Sequence, residues 1–332
     1  MRLIIDKYGT YIHKKKNRFI ILNQSQDNEF SADKVSQILI YRGAAITADA
    51  IDLAVKHDID IVYLDKIGRP FARTYSCKFE NSASVHRHQV RAYDNEKGIA
   101  LMAGFIEGKI KNQSYLLKRL AKTRDDDRLR NIAEKIIYQT EKLSTGKTID
   151  GSRNIIMGIE GEASKRYFQA LTYVLPENVY CGHRIKQPPG DLFNALLSYG
   201  YGILYTEIEK ACILAGLNPY MGFLHADRLG KPSMVLDLIE EFRQPVVDRS
   251  VITLVSKRSV QENNVEPVEN GYYLDNFGKH KVVEAIVTQL AKVISYRNFQ
   301  HSFSSLIQYQ ARQVVKFISG ENKSYSPFIH RW

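Results

Sequence analysis

Cysteine is scarce in this 332-residue chain: Cys77, Cys181 and Cys212 lie far apart, with no C-x-x-C pair. That excludes a disulfide framework and gives no sign of a thiolate zinc site. The three are expected as free, buried thiols of an intracellular protein. Long apolar runs are missing too. No stretch of about eighteen apolar residues is present to span a bilayer. MRLIIDKYGTY lacks a signal-peptide core, so a cytoplasmic chain with no membrane attachment is expected. Acidic residues are in deficit, 36 Asp and Glu against 47 Lys and Arg, for a formal charge of +11. A surplus of that size favours polyanions, chiefly nucleic acid or an anionic membrane surface. Tryptophan occurs once, but 20 Tyr and 14 Phe accompany the cations; they suit stacking on bases, although most are needed for cores.

The length suits two domains, and the texture changes near residue 82. The expected fold is α+β: a small N-terminal β-rich domain, 1–82, followed by a larger all-α catalytic domain, 83–332. In the first part, 3–6, 11–13, 18–22, 34–40, 60–64 and 72–75 are β-rich runs separated by turn signals such as Lys14-Lys15-Lys16-Asn17 and Gly68-Arg69-Pro70. Residues 47–57 form the one helix, capped by Thr47. The triple lysine could touch phosphates or simply be solvated. Beyond Val85 helical spacing dominates. Residues 96–122 read as a long helix in which Gly98, Gly104 and Gly108 permit close packing of another helix. The cations of 109–135, among them Lys109, Lys118 and Arg119, are candidates for phosphate contacts. Asp125-Asp126-Asp127 interrupts them, and since consecutive helical side chains diverge, a loop or solvated face is expected rather than a metal cluster. Residues 148–153 read as a polar linker and 154–175 as a helix. Residues 192–215, capped by Asp191 and closed by Gly216, form a helix so apolar that it must be central. A short strand at 271–274 and helices at 280–296 and 302–318 follow. The tail 321–332 is expected to be mobile until a partner holds it.

Residues 218–248, NPYMGFLHADRLGKPSMVLDLIEEFRQPVVD, carry the densest chemistry. His225 sits in a Gly/Pro-punctuated loop. A helix follows, with Ser233 as its cap, Asp237, Glu240 and Glu241 in its first two turns and Pro245 at its end. Asp237 and Glu240, three apart, share a face. A loop histidine beside helix carboxylates suits a metal; the same acids could equally form a solvated face near the favourable end of the helix dipole. Beyond Pro245, Asp248 and Arg249 could pair locally. Upstream, Glu160 follows Ile159 on the apolar side of its helix, where an unpaired carboxylate is costly. Glu162 lies nearer the polar face, and Arg166 and Tyr167 could approach a substrate. Carboxylates and a histidine without thiolates suit Mg2+ or Mn2+. A divalent ion in a basic chain suggests phosphodiester chemistry, with a non-catalytic basic DNA-binding scaffold as the alternative.

GIEGEASKRYF, PPGDLFNALLSYGYGILY and GFLHADRLGKPSMVLDLIEEFRQPVVD, in this order, resemble the CRISPR-associated protein one family, the spacer-acquisition integrase and endonuclease. The resemblance extends over essentially the whole chain and is most specific at 155–248. It implies an N-terminal β domain, a C-terminal helical domain, and metal ligands at Glu160, His225 and Glu240. Asp237 is implied in a supporting role or as the alternative ligand. Some relatives carry Asp where this chain has Glu240. Arg166, Lys186, Arg228 and Lys231 are offered as DNA contacts, each equally readable as a surface cation. The family resemblance further implies a homodimer acting on double-stranded DNA, two such dimers flanking a dimer of CRISPR-associated protein two in a heterohexameric complex. That complex would join 3′-OH ends of short DNA fragments to the CRISPR repeat.

Overall fold

The computed structural model describes residues 2–23, 27–35, 37–57, 59–65, 70–74, 82–143, 148–186 and 188–332. The Gly68-Arg69 turn signal and Cys77 lie outside them. The chain divides into two compact units, Met1–Glu80 and Asn81–Trp332.

The first unit contains strands β1 (Arg2–Ile5), β2 (Tyr11–Lys15), β3 (Arg18–Leu22), β4 (Asp27–Ser31), β5 (Gln37–Tyr41) and β6 (Ala45–Ile46), helix α1 (Ala48–Lys56), and strands β7 (Asp60–Leu64) and β8 (Pro70–Thr74). One sheet has the order β1-β5-β7-β8, parallel except at its last pair; the other runs β4-β3-β2-β6. Strand alternation sends Leu3, Ile5, Ile12, Phe19, Ile21, Ile38, Ile40 and Ile61 into one core with Ala50, Leu53 and Ala54 of α1. Thr47 caps α1 as expected, accepting from the Ala50 N–H at 3.2 Å. The β2–β3 turn is narrower than the lysine run suggested. Lys14 and Lys15 pair within the ladder, Lys16 takes φ 56°, and Lys14 faces Asp52 at 3.7 Å.

The second unit contains α2 (Ser82–Tyr93), α3 (Glu96–Arg124), α4 (Asp127–Ile137), α5 (Ile149–Ala170), α6 (Leu192–Leu214), α7 (Ser233–Leu238) and α8 (Arg249–Ser256), then hairpin β9 (Val265–Val268) and β10 (Gly271–Leu274). Helix α9 (Asn276–Ala291), hairpin β11 (Val293–Tyr296) and β12 (Phe299–Ser302), and α10 (Phe303–Ser319) complete it. Helices α3 and α6 are the buried members; Leu101, Met102, Phe105, Leu116, Leu196 and Leu204 belong to one continuous core. The aspartate run turns the chain. Asp125 closes α3 at φ 53°, and the Asp126 carboxylate caps α4 by accepting from the Arg128 N–H. Asp191 caps α6 and Gly216 closes it at φ 80°. Asn194, polar in an apolar setting, is held by Asp191, Arg184 and the His183 carbonyl.

Several expectations are corrected. The 148–153 linker is the first turn of α5, because the Thr148 hydroxyl accepts from the Gly151 N–H. The 280–296 helix stops at Ala291 and its last residues form β11. Gly98 and Gly108 do admit helical neighbours, Ile149 at the start of α5 and Glu241 of the turn after α7, but Gly104 and Gly108 also face the C-terminal segment. A Cβ at Gly104 would lie 2.8 Å from the Tyr325 ring and one at Gly108 3.0 Å from Pro327, so these glycines make room for the chain's last residues. The tail is docked: Phe328 is fully buried, stacked on Phe242 at 4.9 Å and edge-on to Phe303. Cys212 is buried but Cys181 is exposed. Among the described residues, no helix is long and apolar enough to cross a membrane.

Candidate active site

Pro245 does not end the helical path after α7. A 3-10 turn, Ile239–Glu241, leads into a wide π turn, Arg243–Asp248, and on into α8. Proline cannot donate to the carbonyl four residues back. That carbonyl belongs to Glu241, and the Asn112 side-chain amide of α3 takes it at 2.8 Å. The path therefore continues through the proline, and Glu240 and Glu241 project in different directions from a distorted turn.

Asp237 is fully buried and both its oxygens are used. It accepts the N–H groups of Phe223 (2.6 Å), Leu224 and His225 (both 2.9 Å), and lies 2.8 Å from His225 Nδ1. A carboxylate only accepts, so Nδ1 carries a proton, and in the neutral ring Nε2 holds the lone pair. Gly222 is required here: a Cβ would sit 2.7 Å from Ser233 Cβ and 2.9 Å from Asp237 Oδ2. Ser233 is not the helix cap. Its hydroxyl joins the Gly222 N–H, the Tyr220 carbonyl and Asp227, pinning the loop to α7. Arg153 secures the other side by donating to the carbonyls of Leu224 and Phe223.

Glu160 of α5 and Glu240 approach one buried cation. Lys109 Nζ of α3 lies 2.5 Å from Glu160 Oε1 and 2.7 Å from Glu240 Oε2, with side chains 11%, 23% and 5% exposed in that order. Arg243 Nε reaches the same Glu240 oxygen at 3.1 Å, and the Ser164 hydroxyl donates to Glu160. Burial alone would raise the Glu240 carboxyl; Arg243 and Lys109, with His225 when its ring is protonated, outweigh it and hold the group down at about 2. The same contest lowers Glu160, with Lys109 prevailing over burial. Burial opposes the charge on Lys109, but Glu240 and Glu160 together raise its pKa. All three groups are therefore charged at neutral pH.

A positioning chain stands behind Arg243. Its guanidinium lies 4.6 Å from the Tyr201 ring, and Asp248 accepts from the hydroxyls of Tyr201 (2.6 Å) and Tyr167 (2.8 Å). Asp248 thus turns inward rather than pairing with Arg249, and Tyr167 is buried rather than open to substrate. Neither the Lys109 bridge nor the Asp248 network was read from the sequence. The available signal was Lys109 itself, four residues after Phe105 and so on the same helical face.

Glu241 faces away from this cluster. It accepts the Phe328 N–H and the Gln310 amide and contacts the Tyr325 hydroxyl. Asn112 bonds the Phe328 carbonyl and accepts the His330 N–H, so the tail and the Glu240 turn share two polar anchors. Burial is the main cause raising the Glu241 carboxyl, to about 8, against these hydrogen bonds and with a smaller push from Glu107. A carboxyl raised on folding stabilises fully below its ordinary value and loses that contribution as pH climbs through the folded value. Stability should therefore fall between the ordinary 4.5 and about 8. The limiting slope is roughly 1.4 kcal/mol per pH unit. Urea unfolding across that window should show the slope in the native chain and a shallower one in Glu241→Gln; equal slopes would contradict the assignment.

The structure therefore buries Asp237, Glu240 and Glu241, the three acids of the expected helix start, and rules out the solvated face. Glu160 and Glu240 meet through Lys109, and His225, when protonated, adds to the positive field on Glu240. Among the described residues, no three His, Cys, Asp or Glu side chains already form a ready metal cage. The donors nevertheless fit a hard divalent ion in kind, being two ionised carboxylates and an oriented imidazole without a thiolate, around a space that already accommodates a cation. Arg166 is half-buried and paired with Glu162 one turn away on α5. Lys186 is solvent-accessible but within electrostatic range of the cluster; partial desolvation of its ammonium, then Arg243 and Lys109, lower its pKa. Arg228 and Lys231 flank an exposed turn between His225 and α7.

Ionised carboxylates beside an imidazole and buried cations, in a helical unit that follows a strand-rich one, suit phosphodiester chemistry, and its named relatives place the chain in the nuclease and integrase class. The chain belongs to the CRISPR associated protein Cas1 family, whose model matches residues 3–288. A CRISPR-associated endonuclease Cas1 from Archaeoglobus fulgidus is 34% identical, with 100% of both chains covered. A casposase solved bound to its integration product superposes with a TM-score of 0.84 at 25% identity, covering 98% of this chain and 92% of the casposase. A chain of a Cas6-RT-Cas1–Cas2 complex has the same fold, at a TM-score of 0.79 and 20% identity; 99% of this chain covers 36% of that longer polypeptide.

Proposed function

We propose that this protein is a divalent-metal-dependent DNA integrase and endonuclease of CRISPR adaptation, joining the 3′-OH ends of short foreign duplexes to the CRISPR repeat. The observation that carries this reading is the convergence of Glu160 and Glu240 on one buried cation beside a histidine whose Nε2 is free. Glu160, Glu240 and His225 Nε2 would hold Mg2+ or Mn2+. Bound there, the ion would polarise the phosphoryl oxygen and favour ionisation of the attacking hydroxyl. Asp237 keeps the imidazole in the ligating tautomer, and both its oxygens are already occupied, which favours Glu240 over Asp237 as the acidic ligand.

In the joining reaction the 3′-oxygen of the fragment forms a P–O bond while the repeat's own 3′-oxygen leaves as a hydroxyl. One phosphodiester is made and one broken, so no ATP is required. Water as the nucleophile gives endonuclease cleavage at the same site. Lys186, Arg228 and Lys231, with Arg166 further out, supply cations for the DNA backbone. The 1–82 domain takes dimer and partner contacts, and 83–332 performs catalysis. A homodimer and a Cas2 dimer assembling as a heterohexamer in the cytoplasm complete the reading.

The test is strand transfer of a 3′-OH duplex into a supercoiled plasmid carrying a CRISPR repeat, with the small partner present, in Mn2+ or in EDTA. Metal-dependent joining is expected. Duplex binding without joining or cutting in any metal would make the protein a scaffold.

A further inference from the structure

The Lys109 ammonium stands where the two carboxylates of the proposed metal site converge, and the inference here rests on that reading of the site. Glu160 and Glu240 carry two negative charges; Lys109 and Arg243, at 2.7 and 3.1 Å from the same Glu240 oxygen, carry two positive ones. The four groups are neutral together in a largely desolvated pocket. A divalent ion entering alone would add two charges to a balanced site and would meet Lys109 on both carboxylates. A phosphodiester changes both conditions. It brings negative charge, and its oxygens can accept from a displaced ammonium on a flexible four-carbon stem. Fold stability is a weak account of Lys109, since a buried ion pair contributes little beyond what apolar groups of similar volume would.

We propose that Lys109 is the resident counter-cation of the Glu160–Glu240 pair and makes divalent-ion binding conditional on a phosphodiester. Without nucleic acid, the ammonium competes for both carboxylates. With DNA in place, it passes to the phosphate and leaves them to the metal. Coupling of this kind is reciprocal, so the metal must tighten DNA binding by the same factor.

Equilibrium Mn2+ binding to the full chain, read from the EPR signal of free Mn2+, tests this. It is measured with and without a short duplex whose 3′ ends are dideoxy, so that no joining occurs. Native protein should bind Mn2+ about tenfold or more tightly with the duplex. Lys109→Gln should bring the DNA-free affinity to within about threefold of the DNA-bound one, while Lys109→Arg keeps the coupling. Should Lys109→Gln fail to fold, Lys109→Met, of similar length and without an amide to satisfy, serves the same comparison. Equal Mn2+ affinity with and without duplex in native protein overturns the inference, as does unchanged DNA-free affinity in the folded uncharged variant. Glu160→Gln/Glu240→Gln separates the two readings. If it binds Mn2+ as native protein does, the metal site itself is wrong. If it loses Mn2+ while Lys109→Gln changes nothing, only the role of Lys109 fails.

Discussion

Strand transfer by Glu160→Gln, Glu240→Gln and His225→Ala should fall by about 10²–10³-fold, with duplex binding measured in EDTA retained. Glutamine keeps the shape of each carboxylate and leaves Lys109 a hydrogen-bond partner, whereas alanine would strand Lys109 and Arg243 in the interior at a cost of about 3–5 kcal/mol. Loss of activity can then be read as loss of a charged ligand rather than of the fold. Asp237 behaves differently. Alanine there would orphan three buried N–H groups, each costing about 1–3 kcal/mol. Asparagine preserves most of that bonding, but its amide can donate to His225 Nδ1 and move the imidazole proton to Nε2. Asp237→Asn should therefore weaken Mn2+ affinity by about 10–100-fold, less than either glutamate variant. If Asp237→Asn proves the more damaging and Glu240→Gln is tolerated, the acidic ligand is Asp237.

Phe328→Ala should destabilise the second unit by about 3–5 kcal/mol, because a fully buried ring leaves a cavity. Its ring also supports Phe242, immediately after the Glu240 turn, and its backbone is gripped by Glu241 and Asn112. The single tryptophan reports on the same segment: Trp332 packs edge-on against His330 at 4.6 Å. Urea unfolding followed by Trp332 emission should shift to lower denaturant in Phe328→Ala, and strand transfer should fall with it. An unchanged midpoint would mean that the tail merely lies on the surface.

Locally encoded features were legible. Thr47 and Asp191 announce helices α1 and α6, since one side-chain oxygen and the next turn's N–H suffice to define a cap. The 18–22 and 60–64 strands follow from apolar runs between turns. Ser233 misled because its hydroxyl found the Gly222 N–H, eleven residues away, in place of its own helix. Pro245 misled because Asn112, more than a hundred residues upstream, takes the carbonyl the proline cannot reach. The tail looked mobile because its polar composition conceals one phenylalanine that the core receives.

By itself, the sequence determined the basic charge, the β-then-helical order, and the identity of Glu160, His225, Asp237 and Glu240 as the residues worth assembling. These depend on residue type, short periodicity and motif order, which are properties of the chain as written. Tertiary structure alone decided that Asp237 orients the histidine while Glu240 faces Glu160, that Glu241 turns toward the tail, and that Lys109 lies between the two carboxylates. Each of those outcomes is a contact between helices or loops distant in sequence. Helical spacing tells which residues share a face, but only packing brings two faces together.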